Sequence, residues 1–173
     1  MIPRYTSPEM GRIWSDQRKY ETWLQVELAA VDAMARAGIV PTDAARDIRA
    51  RATFSIDRIE EIEQVTQHDV IAFTTAVAEH AGPAARWLHF GLTSSDVLDT
   101  AQALQMRQAC DLIVKDLAEA LDAVQSQLAG HGRLLVRYSG TEPLLRIMLE
   151  GREEAEIRTL ANEIAGVVRK HLG

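Results

Sequence analysis

Residues 94–129 contain neither glycine nor proline. As one helix these 36 residues would extend about 54 Å. Their apolar positions Cys110, Ile113, Leu117, Leu121, Val124 and Leu128 recur in alternating steps of three and four. That spacing draws a single seam along the helix, and a seam of this kind needs partner helices to cover it. The pattern predicts a bundle member in which Cys110 is a small buried residue of the seam.

The sequence before this element reads as helix after helix. Ser7 precedes Pro8, a pairing suited to the cap and first residue of a short helix. From Ser15, the positions Tyr20, Trp23, Leu24, Glu27, Leu28, Val31 and Met34 lie on one stripe that ends at Gly38. Thr42, after Pro41, is expected to cap a short helix, and Asp57 to open another containing Ile59 and Ile62. Residues 69–80 form a more apolar helix stopped by Gly82-Pro83.

After Gly130 and Gly132 the period changes to that of strands. Residues 133–138 read as a strand, Ser139-Gly140-Thr141-Glu142-Pro143 as a tight loop, and 144–150 as a second strand. A final helix places Ile157, Leu160, Ile164, Val167 and Val168 on one face. The fold class expected is mainly α, with a small C-terminal α/β unit of two strands and a helix attached through the long helix.

Charge follows the same division. The 173 residues carry a net −6, yet residues 131–173 hold seven basic against six acidic side chains. All of the negative excess therefore lies earlier. An acidic chain is unsuited to binding nucleic acid by general electrostatics. No apolar run reaches the ~18 residues of a membrane span, and a single cysteine suits a reducing cytoplasm. The expectation is a cytoplasmic protein bound neither to nucleic acid nor to membrane.

Polar residues that could carry chemistry gather at helix boundaries. Gln67-His68-Asp69 sits where one helix ends and the next begins. His89-Phe90-Gly91-Leu92-Thr93-Ser94-Ser95-Asp96 leads into the long helix, and His80 is the other nearby imidazole. Hydroxyls at a helix start, backed by free N–H groups, suit a carboxylate or phosphate. The same residues also make ordinary caps, Thr93 or Ser94 closing the helix and Asp96 favouring its dipole. Histidines this scattered do not form a metal-ligand set, and no cofactor is implied.

Taken in order, Pro3-Arg4-Tyr5-Thr6-Ser7-Pro8-Glu9-Met10, Gln67-His68-Asp69-Val70 and Gly91-Leu92-Thr93-Ser94-Ser95-Asp96-Val97 resemble the N-terminal region of the adenylosuccinate lyase family, in the fumarase/aspartase superfamily. The resemblance spans residues 1–117. It implies elimination of fumarate from adenylosuccinate, within a homotetramer whose sites combine three subunits around a helical bundle. It also implies that Arg4 and Tyr5 hold the nucleotide phosphate. Gln67, His68 and Asp69 would meet the base and ribose region or the leaving succinyl group, and Thr93 and Ser94 a succinyl carboxylate. Gln67 departs from the basic or Asn side chain frequent there. The family's mobile Ser-Ser-x-Met-Pro-x-Lys-x-Asn loop and later catalytic histidine have no counterpart in this sequence. His68 alone remains as a candidate proton donor, and elimination needs both an acid and a base.

The segment Arg137-Tyr138-Ser139-Gly140-Thr141-Glu142-Pro143, with Arg146 beyond it, resembles the last domain of the phosphoglucosamine mutase family, in the α-D-phosphohexomutase superfamily. The residue chemistry agrees, since two arginines flank a loop whose hydroxyls and N–H groups can wrap a phosphate. By resemblance Arg137, Ser139, Gly140, Thr141 and Arg146 would grip a hexosamine phosphate. The family's phosphoserine loop and aspartate metal site are absent from this sequence, as is the first strand of its last domain.

The combined expectation is a hybrid. Residues 1–117 are lyase-like and 118–173 mutase-like, joined inside the long helix without loss of helical phase. It would bind small anionic nucleotides or phosphosugars, lack full catalysis alone, and form a homo-oligomer through the long helix. The alternatives are lyase activity inside an oligomer or by fragment complementation, and a phosphate-binding or interaction module.

Overall fold

A computed structural model describes residues 6–128, 130–142 and 144–172. The chain divides into two compact units, one of residues 12–108 and the other of residues 109–173 with the segment through Gly11. The first helix, α1 (Pro8–Ile13), starts where Ser7 Oγ accepts the Met10 N–H at 3.3 Å.

The larger unit is built from helices that the sequence marks with caps and breakers. Ser15 caps α2 (Asp16–Arg36), its hydroxyl accepting the Arg18 N–H at 3.2 Å. Next come α3 (Thr42–Arg51), α4 (Ile56–Thr66) and α5 (Asp69–Ala81). Two starts differ from expectation. Thr42 is the first helical residue rather than the cap, because Pro41 takes the extended cap geometry itself. Helix α4 begins at Ile56, one residue before Asp57, with Ser55 as its cap. Gly82 ends α5 at φ 66°, and the chain then winds through a 3-10 helix over Gly82–Trp87 with Pro83 in its first turn. No periodic signal marked that short element.

The core of this unit centres on Phe73, which is fully buried. Tyr20 stacks on it at 5.8 Å, while Trp23 and Phe54 meet it edge-on at 5.5 and 6.0 Å. Ile48, Ile59, Val70 and Val77 extend the core through α3, α4 and α5. The long helix α6 (Ser94–Leu128) supplies Val97 and Ala101. The buried Gln105 donates to the carbonyl of Ile13 at 2.7 Å.

In the second unit, the far end of α6 leads to β1 (Arg133–Tyr138), β2 (Leu145–Glu150) and α7 (Glu154–Leu172). The strands pair antiparallel, Leu134 opposite Leu149 and Val136 opposite Ile147. Their inner face meets Val124 and Leu128 of α6 and Leu160 and Ile164 of α7. The sheet has two strands and hence two free edges. The turn into β1 needs glycine: a Cβ on Gly132 would drive into the Glu150 carbonyl oxygen and come within 2.7 Å of Leu128 Cδ2. Cys110 corrects the expectation of a buried seam residue. It is exposed, because the covered face of α6 runs through Ala101, Gln105 and Ala109 and Cys110 lies one residue, about 100°, away from it. No helix among the described residues is long and apolar enough to cross a membrane.

Candidate functional site

The segment joining α4 to α5 is a tight reversal. Gln67 takes the left-handed conformation (φ 51°) that closes α4, its N–H donating to the Glu63 carbonyl at 2.9 Å. Its side-chain amide turns back on the same helix and donates to the Gln64 carbonyl at 2.9 Å. His68 caps α5, with Nδ1 accepting the Ile71 N–H at 3.4 Å. Nε2 of the half-exposed ring has no hydrogen-bond partner among the described residues. Asp69 Oδ1 accepts the N–H of Val70 at 2.7 Å. Local backbone contacts thus occupy part of each of these three side chains and leave His68 Nε2 unengaged.

The start of α6 is held differently. Thr93 donates both its N–H (2.7 Å) and its hydroxyl (3.0 Å) to Asp96 Oδ2, and a side chain in the third position of a helix often accepts from the residue before the helix in this way. These two donors hold the Asp96 carboxyl below its ordinary range, and the charge of His89 adds to the effect. Ser94 is half-buried, and its hydroxyl has no hydrogen-bond partner among the described residues. Thr93 thus serves the cap, and Ser94 stands in the first turn of α6.

One feature of the site escaped the sequence reading. Glu27, placed on the apolar stripe of α2, is completely buried. It accepts the His89 N–H at 2.9 Å through Oε2, and the His89 Nδ1 lies 2.6 Å from Oε1. His89 itself adopts φ 59°, and Gly91 follows at φ 72°. Left-handed non-glycine residues are uncommon and need surrounding structure to hold them. The available signal was an acidic residue among Trp23, Leu24, Leu28 and Val31, a position that burial makes costly unless a donor meets it.

The two segments are not brought together. Helix α5, 13 residues long and so about 19 Å, separates Gln67, His68 and Asp69 from the turn that precedes Thr93 and Ser94. No hydrogen bond or ion pair joins them among the described residues. Arg4 and Tyr5 lie outside the described residues.

In the second unit, Arg137 and Arg146 face each other directly across β1 and β2. Like charges so placed repel. Arg146 reaches Glu142 at 3.5 Å, while Arg137 is exposed and makes no ion pair among the described residues. The loop between the strands is closed by the Ser139 N–H donating to the Leu144 carbonyl at 2.8 Å. Ser139 is buried, Gly140 borders open space, and Thr141 is exposed. No cluster of three or more His, Cys, Asp or Glu side chains suited to a metal occurs among the described residues.

A long helix carrying a bundle seam, with polar segments at helix ends, defines a mainly helical protein of the bundle type. Residues 4–133 match the lyase family model, and the chain belongs to that family. Residues 100–167 also match the model for the C-terminal domain of phosphoglucomutase/phosphomannomutase. The adenylosuccinate lyase of Synechocystis sp. is 50% identical over 131 residues, covering 76% of this chain and 30% of the relative. That of Bacillus subtilis is 44% identical over the same shares. The chain therefore spans about 30% of the length of the curated relatives it matches. Among solved structures, a fumarate lyase from Mesorhizobium sp. shares the fold at a TM-score of 0.69 and 23% identity, over 96% of this chain and 40% of the other. The 3-carboxy-cis,cis-muconate lactonizing enzyme of Pseudomonas putida gives a TM-score of 0.69 at 27% identity, over 95% and 38%.

Proposed function

We propose that the chain is a hybrid of an adenylosuccinate lyase N-terminal segment and a phosphohexomutase phosphate-binding segment, joined near Leu117, that binds small anions and does not complete catalysis alone. The observation that carries this reading is the 50% identity to an adenylosuccinate lyase across 131 residues, which include Gln67-His68-Asp69 and Thr93-Ser94. The signature loop of the proton-abstracting serine has no counterpart in the chain. In this reading His68 would supply a donor and Ser94 an anion contact, and the base that the elimination also needs would have to come from that loop on another chain.

Arg4 and Tyr5 would take the nucleotide phosphate, Gln67 and Asp69 the rest of the nucleotide or the succinyl group, and Thr93 and Ser94 a carboxylate. The proposed setting is the cytoplasm. A second copy against Cys110 and Val114 of α6 would cover side chains that the single chain leaves exposed. Fumarate release from adenylosuccinate, followed by absorbance, tests the reading. The chain alone should give none, and should still bind adenylosuccinate in a calorimetric titration. Turnover by the chain alone that His68→Ala abolishes would refute it. Restored turnover on mixing with a lyase chain lacking its N-terminal region would instead establish complementation.

A second reading rests on Arg137 opposite Arg146. An anion between two guanidiniums relieves their repulsion and accepts paired hydrogen bonds from each. Ser139, Gly140 and Thr141 would complete a phosphosugar site. Glucosamine 6-phosphate should then release heat on titration, and Arg137→Ala should abolish it.

A further inference from the structure

The carboxylate of Glu27 is fully buried, whereas the side chain of His89 retains 25% exposure. The accessible part of this pair is therefore the imidazole. With Nδ1 2.6 Å from the carboxylate, a proton must lie between them, since two bare acceptors would repel, and an imidazole that keeps it gives the Glu27 carboxylate two donors from one residue. Nε2 is then the one ring nitrogen left, and it has no hydrogen-bond partner among the described residues.

The backbone bond alone does not account for a carboxylate here. Holding the His89 N–H requires a single acceptor oxygen, and a neutral glutamine amide would provide it at less desolvation cost. The second oxygen of Glu27 is committed to the ring. The ring, in turn, is carried on a left-handed residue four positions before Thr93. The Leu92 N–H closes that turn on the His89 carbonyl at 3.3 Å. Glu27 thus fixes both the backbone and the imidazole of the segment that leads into α6.

We propose that Glu27 is a positioning residue that holds His89 through its Nδ1–H, so that the ring, once protonated on both nitrogens, donates Nε2–H to a carboxylate or phosphate oxygen bound at the start of α6. The buried carboxylate supplies the counter-charge to that imidazolium. No other described side chain anchors this imidazole. The role of the ring as an anion contact rests on the adenylosuccinate-binding function proposed above; the hold of Glu27 on the ring does not.

Two measurements on the full chain decide it. Long-range proton–nitrogen correlation spectra of the nitrogen-15-labelled protein report which ring nitrogen of His89 carries the proton. The expected result is a protonated Nδ1 with a strongly downfield Hδ1, lost in Glu27→Gln. A wild-type ring protonated on Nε2 with a bare Nδ1 would overturn the proposal without any variant having to fold. Calorimetric titration with adenylosuccinate forms the second arm. Glu27→Gln and His89→Ala should each weaken binding by about 10-fold, the size seen when an imidazole loses its orienting carboxylate, and the double substitution should weaken it no further. Wild-type binding left unchanged by both single substitutions would overturn the anion role. If the wild-type chain binds no adenylosuccinate, the proposed function fails, and the spectra alone decide whether Glu27 holds the ring.

Discussion

The imidazole Nε2 of His171 lies 2.7 Å from Oδ2 of Asp116, and the Lys170 ammonium lies 3.2 Å from the same oxygen. These contacts clamp the last turn of α7 to α6. The His171 side chain is 2% exposed, so Asp116 is the polar partner that lets it be buried. The hydrogen bond from His171, then that from Lys170, holds the Asp116 carboxyl below its ordinary range. A carboxyl depressed in the folded state contributes stability that is complete above its unfolded value. The contribution is lost as pH falls through the lower, folded one. Asp116→Asn should therefore cost about 0.5–1 kcal/mol near neutral pH, the scale of a partly exposed pair. The variant and wild type should converge as pH drops well below about 3.9. Denaturant melts followed by circular dichroism from about pH 2 to about pH 7 check it, and a gap that widens in acid would contradict the assignment.

Gly132 and Gly140 should respond oppositely to alanine. A Cβ at 132 meets a backbone oxygen and the side chain of Leu128, neither free to yield, whereas a Cβ at 140 meets nothing within 4 Å. Gly132→Ala should lose about 1–3 kcal/mol through overpacking, read as a lower melting midpoint. Gly140→Ala should stay within about 0.5 kcal/mol of wild type. Equal effects would mean that the turn before β1 is not as close-packed as its geometry shows.

Most of the fold was legible because its signals are local. Ser15, Gly82 and the glycines around 130–132 stop and start elements by their own backbone preferences, and residues 133–138 form the strand that their period indicates. Burial along α6 was not local. The three-four seam starts at Cys110, but the face that is covered there runs through the small Ala101 and Ala109 and the polar Gln105, which carry little apolar signal, and Cys110 lies off it. The candidate site divides in the same way. Helix-boundary polar residues announced Gln67-His68-Asp69 and Thr93-Ser94, whereas the Glu27–His89 bond joins residues 62 apart. The apolar neighbours of Glu27 imply that a partner exists, but nothing near it in the chain states where that partner lies.

The larger unit should fail first at its aromatic centre. Phe73 touches Tyr20, Trp23 and Phe54 together, so shortening it opens a cavity that three helices cannot easily close. Phe73→Ala should cost about 3–5 kcal/mol, with Trp23 fluorescence shifting as its edge contact is lost. Phe73→Leu should recover a large part of that loss. A cost below about 1 kcal/mol for the alanine variant would show that the cluster repacks.

Arg137 gives the sharpest test of the small unit because two expected effects have opposite signs. Facing Arg146 across the strands, it repels a like charge, and removing it should leave the ligand-free protein unchanged or more stable by a few tenths of a kcal/mol. The same removal should erase any stabilisation by a phosphate ester. Binding at a hundred times Kd adds about 2.7 kcal/mol, enough to raise the wild-type melting midpoint by several degrees. Thermal melts with and without glucosamine 6-phosphate, on wild type and Arg137→Ala, separate the two effects. A ligand shift that survives in Arg137→Ala would place the phosphate elsewhere. A variant that melts lower without ligand would mean that the Arg137 side chain contributes packing along β1 rather than an unsatisfied charge.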